Sequence, residues 1–140
     1  MATNISRIGI QAAPQKVWTI LTDPAFVKLW QYGSDLQTSW EVGSKIKFVT
    51  EWEGKVFEQW GTVLEFTPAT RLRYSLFAPR PGLEDKPENY FEMIYLLTED
   101  RGQTIVEIIQ KDNRVHAVQE TAQDEENPIL KMLKQVAEAN

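Results

Sequence analysis

The chain has no cysteine and a single histidine, His116. Without thiols there are no disulfide staples, thiolate nucleophiles or thiolate metal sites, and one histidine leaves zinc short of ligands. Positive charge is also scarce: 15 Lys and Arg stand against 20 Asp and Glu, a formal net charge of −5. That surplus repels a nucleic-acid backbone and an anionic membrane, and no run of Lys or Arg offsets it. No apolar run is long enough to span a bilayer. Residues 1–4 lack the basic-then-apolar pattern of a signal peptide. No Gly-rich loop follows a strand and opens a helix, which removes the usual phosphate cradle. No Gly-flanked serine supports Ser/His/Asp catalysis. The expectations left are a soluble, cytoplasmic protein with no nucleic-acid partner, no membrane insertion, no metal and no cofactor.

What is present points to one domain over residues 1–140, since 140 residues suffice to bury a real core. Hydrophobic residues make up 42%, and the aromatic share of 11% includes five Trp. Residues 5–12 alternate, with Ile8, Ile10 and Ala12 on one side, which predicts a strand. Pro14 suits the first turn of a helix, and Val17, Trp18 and Leu21 share one face behind it. Asp23 fits an N-cap with Pro24 at the next helix's first position, and Gly33 fits its end.

From residue 36 the period changes to two. Ile46, Phe48, Thr50 and Trp52 fall on one face of a strand, with Lys45, Lys47, Glu51 and Glu53 on the other. After the turn signal Glu53-Gly54, residues 55–66 return as a strand of ambiguous register. Val56, Glu58, Trp60, Thr62 and Leu64 share one side, and Phe57, Gln59, Gly61, Val63 and Glu65 the other. The reading adopted puts Trp60 inward. Leu72, Tyr74 and Leu76 alternate next, then a proline-bearing loop at 78–89, then Phe91, Met93, Tyr95 and Leu97. Thr104, Val106, Ile108 and Gln110 face one way on the last strand. Residues 113–126 are polar and unassigned. Asn127-Pro128 reads as a cap and first turn, followed by an apolar stripe of Ile129, Leu130, Leu133, Val136 and Ala137. This order predicts an α+β fold: a curved antiparallel sheet of about six to seven strands wrapped around a C-terminal helix, with two short helices after the first strand.

These segments resemble the activator-of-heat-shock-ATPase homologue family of the START-like (SRPBCC) superfamily. The resemblance rests on Ala13-Pro14 with Val17-Trp18, Leu21-Thr22-Asp23-Pro24, Trp30, Trp40-Glu41-Val42-Gly43, Gly61-Thr62-Val63-Leu64-Glu65 with Pro68, Leu72-Arg73-Tyr74-Ser75, and Leu97-Thr98-Glu99-Asp100 with Thr104. It implies a helix-grip fold. One departure is Asn127-Pro128-Ile129, where relatives often carry an aromatic. The implied functions are binding of an apolar small molecule in the cavity, regulation of a chaperone ATPase, or aromatase- or cyclase-type catalysis.

Candidate ligand-binding residues are Phe48, Thr50, Trp52, Trp60, Tyr74, Phe91, Met93, Tyr95, Ile108, Met132, Leu133 and Val136. Large aromatics on one sheet face pack poorly around one short helix, which favours a pocket; the alternative is that they simply fill the core. Glu58 is the weak catalytic candidate, because an inward carboxylate would be desolvated and its pKa raised. The opposite register, or a Lys or Arg partner, would cancel that role. His116 reads as a solvated side chain, and Asp124-Glu125-Glu126 lacks the alternating spacing of a calcium loop. The 78–89 loop is either a lid over the cavity mouth or a plain connector.

Overall fold

The computed structural model describes residues 2–31, 33–112 and 128–139. Strand β1 (Ala2–Ile10) leads into helices α1 (Pro14–Thr22) and α2 (Pro24–Trp30). Strands β2 (Asp35–Thr38), β3 (Lys45–Trp52), β4 (Lys55–Thr67), β5 (Arg71–Leu76), β6 (Phe91–Asp100) and β7 (Gln103–Asp112) follow, and helix α3 (Pro128–Ala139) comes last. The expectations at His116, at 113–126 and at Asn127 fall outside the described residues.

The seven strands form one antiparallel sheet in the order β1-β7-β6-β5-β4-β3-β2. All but one neighbouring pair are also neighbours in sequence, as hairpins dictate; β1 instead closes against β7. Two hairpin turns use Glu53-Gly54 and Arg101-Gly102, each with positive φ at both central residues. That geometry matches the right-handed twist of the strands they join.

The α1–α2 corner follows from its sequence. Asp23 Oδ1 accepts the Ala25 amide at 2.9 Å, and Pro24 needs no donor at the first helical position. Trp30 is buried and donates its indole N–H to the Ile20 carbonyl at 2.9 Å, locking the two helices together. Trp18 packs edge-on to Phe66, and Trp40 stacks on the same ring. The Trp40 indole donates to the Thr22 carbonyl at 2.9 Å, so β4 and the loop after β2 hold the helices against the sheet.

On α3, Leu130, Leu133, Val136 and Ala137 are buried, and the helix comes nearest to β1, α1 and α2. Ile8, Ile46, Val63, Leu72, Leu97 and Val106 complete the core from the sheet. Lys134 Nζ reaches the Gly9 carbonyl at 2.9 Å and Glu138 at 3.3 Å, pinning the helix's outer side to β1.

The register of β4 corrects one expectation. Trp60 lies opposite Lys47 and Glu58 opposite Val49, on the face away from Ile46 and Phe48. Phe57, Gln59, Gly61 and Val63 take the inner side. The strand then shifts register between Val63 and Glu65, so Phe66 also turns inward opposite Leu72. A bulge of this kind adds a residue and reverses the parity beyond it. Trp60 is therefore an outer-face residue.

Candidate functional site

The inner face of the sheet is graded. Near α1, α2 and α3 it is closed: Val63, Leu72, Leu97 and Val106 are buried. Toward the start of β6 and the end of β7 burial is mixed: Phe91, Met93 and Ile108 are half-buried and packed against the core, while Leu76, Tyr95 and Asp112 are buried. The pairing explains why these side chains converge. Tyr74 sits opposite Met93, Leu72 opposite Tyr95, Tyr95 opposite Ile108, and Leu76 opposite Phe91. Directly opposed residues in antiparallel strands share a face.

At the centre are two phenols. Tyr74 and Tyr95 are 3% and 4% exposed, and their hydroxyls meet at 3.3 Å. Phe48 packs on Tyr74 with ring centroids 5.8 Å apart. Burial pushes the Tyr74 phenol well above its ordinary pKa, with the neighbouring Tyr95 adding to the effect. Burial raises Tyr95 as well, although its hydrogen bond to Tyr74 partly offsets this. Both hydroxyls therefore stay neutral at physiological pH. Each carries one proton, and the pair shares one hydrogen bond, so one donor is left over for a third oxygen. Thr50 is half-buried and its hydroxyl lies 2.8 Å from that of Ser34. By register Ser6, Gln110 and Asp112 also point inward, and Asp112 is buried.

Other candidates fall elsewhere. Trp52 belongs to the inner face by parity but is 67% exposed, because the β3–β4 hairpin runs past the helical cover. Met132 is exposed on α3, while Leu133 and Val136 are buried against the core. Glu58, on the outer face, stands 3.1 Å from Lys47. Neither the desolvation nor the position that a general acid needs is available to it there. Among the described residues no group of three or more His, Cys, Asp or Glu could hold a metal ion.

The 78–89 loop also differs from the lid expectation. Phe77 is buried on the outer face, between Trp60 at 5.4 Å and Tyr90 at 5.3 Å between ring centroids. Asp85 accepts from the Trp60 indole at 3.0 Å and from the Tyr90 hydroxyl at 2.6 Å. The loop is thus drawn onto the convex side, where it walls a groove of ≈ 560 Å³ together with Thr62, Arg73 and Glu92. Arg73 fills that groove's base with ion pairs to Glu92 at 2.6 Å and Glu65 at 3.4 Å, and they hold its guanidinium above its ordinary pKa. No helix among the described residues is long and apolar enough to cross a membrane.

Sequence reasoning passed over Asp112 and Ser6. Their signal was available only through the β1–β7 register, which places Ser6 opposite Ile108 and Ala2 opposite Asp112.

A family described as activator of Hsp90 ATPase homolog 1-like protein matches residues 11–138. The chain belongs to this family. Among solved structures, ChR145 from Cytophaga hutchinsonii is 32% identical over 94% of this chain and 84% of its own, with a TM-score of 0.65. The Aha1 dimer from Colwellia psychrerythraea is 24% identical over 84% and 81%, TM-score 0.63. Ara h 8.0201 is only 12% identical but superposes over 99% and 98%, TM-score 0.71, a likeness of fold alone. The fold is the helix-grip arrangement, with the curved sheet around α3. Comparison with curated proteins gives no match.

Proposed function

We propose that this family member binds a small apolar or amphipathic molecule between the inner face of the sheet and α3, around the half-buried ends of β6 and β7. The observation that carries the reading is the half-buried set Phe91, Met93 and Ile108 around the Tyr74–Tyr95 pair. Apolar walls with a few fixed polar groups are the usual makeup of a small-molecule site. Phe48, Leu133 and Val136 form the closed end, and covering their half-exposed neighbours with an apolar guest gains roughly 25 cal/mol per Å². The spare phenol proton and Thr50 give direction to a ligand oxygen.

The test is titration with a hydrophobic fluorescent probe. The wild-type chain binds it saturably, Met93→Glu abolishes the binding, and Arg71→Glu on the outer face leaves it intact. No saturable binding, or binding indifferent to Met93→Glu, overturns the proposal. Family membership supports a second reading, regulation of a chaperone ATPase, which predicts that added chain changes the turnover of a purified Hsp90-type ATPase. The aromatase or cyclase reading loses its named acid, since Glu58 faces outward.

A further inference from the structure

The inner-face site has a chemical preference as well as a place. Tyr74 and Tyr95 carry two hydroxyl protons, and the hydrogen bond between them uses one. Neither hydroxyl has another hydrogen-bond partner among the described residues. A buried donor left without an acceptor is costly, so the second proton calls for an oxygen that these side chains do not supply. Tyr74 lies directly opposite Met93, and Tyr95 directly opposite Ile108. Side chains so paired are about 5 Å apart at Cβ, so a guest covering the half-buried Met93 and Ile108 reaches the phenols.

Charge on the same face narrows the guest further. Among the described strand residues, Lys55 is the only Lys or Arg with inward parity, and it stands exposed at the β3–β4 hairpin tip. Lys134 on α3 spends its ammonium on the Gly9 carbonyl and Glu138. A buried carboxylate, Asp112, faces inward opposite Phe91 instead. Burial keeps the phenols neutral, so they offer a hydrogen bond without positive charge. A carboxylate guest would give up its hydration for aromatic rings, one donor and a neighbouring acid. Burying an unpaired charge costs far more than one hydrogen bond returns. An alcohol would bring a donor of its own that needs an acceptor beside the phenols, whereas a carbonyl only accepts. We propose that the guest is an uncharged carbonyl compound, a ketone, aldehyde or ester on an apolar body, whose oxygen takes the spare phenol proton, and that the corresponding carboxylate is excluded. The assignment rests on the inner-face site proposed above.

Three probes of one shape separate the terms: naphthalene, 2-acetylnaphthalene and 2-naphthoate, each titrated into the full chain at neutral pH by calorimetry. The ketone binds about tenfold more tightly than the hydrocarbon, the worth of one buried hydrogen bond. The carboxylate binds at least about a hundredfold more weakly than the ketone, because its charge finds no partner. The double variant Tyr74→Phe/Tyr95→Phe erases the ketone's advantage over naphthalene. Both hydroxyls must go, since either alone still has a proton to give. The wild type supplies a readout that needs no variant: the carbonyl infrared band of bound 2-acetylnaphthalene falls to the lower frequency of a hydrogen-bonded ketone. A ketone bound no more tightly than naphthalene, a carboxylate bound as well as the ketone, an advantage that survives the double variant, or an unshifted carbonyl band overturns this inference and leaves the apolar site standing. Failure of all three probes to bind overturns the site and the inference together.

Discussion

Gly61→Ala is the sharpest stability test of the way this sheet bends. At Gly61, β4 passes from its ladder with β3 to its ladder with β5, and the strand presses against the β5 backbone. A Cβ at Gly61 would stand 2.5 Å from the Ser75 carbonyl carbon and 3.1 Å from Leu76 Cα, and closer still to the Ser75 oxygen. The obstacle is backbone and cannot swing aside as a side-chain tip would. The Thr62 amide, 3.1 Å from the Ser75 hydroxyl, would be displaced with it. Overpacking of well-fitted sites costs about 1–3 kcal/mol. Loss of the local ladder puts this substitution at the upper end, roughly 3 kcal/mol, less about 0.5 kcal/mol gained by stiffening the unfolded chain. For a chain of this size that lowers Tm by about 10 °C. Urea and thermal denaturation followed by circular dichroism measure it. Gly54→Ala is the control: its φ is +78° but nothing lies within 4 Å of the added methyl, so only the left-handed backbone cost of about 1 kcal/mol applies. If Gly61→Ala unfolds with the parent, or no earlier than Gly54→Ala, the close approach of β4 to β5 is wrong.

Three further outcomes follow from named contacts. Leu133→Ala empties a fully buried position on α3 and lowers stability by about 2–5 kcal/mol in urea melts. Tyr74 and Tyr95 are neutral in the fold and ionise near pH 10 once unfolded, so the native state binds more protons above that pH and stability falls as pH rises; below it their contribution is complete. Each phenol contributes a slope of up to about 1.4 kcal/mol per pH unit, and Tyr74→Phe removes one share of it in denaturation curves at alkaline pH. Asp85→Ala deprives the Trp60 indole and the Tyr90 hydroxyl of their acceptor, costs about 1 kcal/mol, and shifts the Trp60 emission to the red as the 78–89 loop loosens.

Much of this was legible in the sequence because alternation reports the face of a strand directly. Phe48, Tyr74, Met93, Tyr95 and Ile108 lie on the face their spacing gave, and Asp23-Pro24 caps α2 as its chemistry requires. The β4 strand resisted because no single parity serves it: the bulge between Val63 and Glu65 puts Phe57, Val63 and Phe66 on one side, and no rule of twos contains that set. Trp60 was misplaced for that reason. Trp52 shows a different limit. Alternation assigned its face, but how far the helical cover extends is a tertiary fact, and the hairpin tip outruns it. The prolines at 79, 81 and 87 marked a loop without fixing its side. That choice was made by Asp85 finding the Tyr90 hydroxyl five positions on and the Trp60 indole twenty-five positions back, and the second contact leaves no local pattern.

The proposed guest lies between sheet and α3 against the two phenols. Two-dimensional NMR of labelled chain, titrated with a small neutral apolar ligand, addresses it most directly. Saturable shifts centred on Phe91, Met93, Tyr95 and Ile108 are expected, with Trp60 and Tyr90 unmoved. Shifts confined to the outer groove by Trp60 and Tyr90, or none anywhere on the inner face, would contradict it.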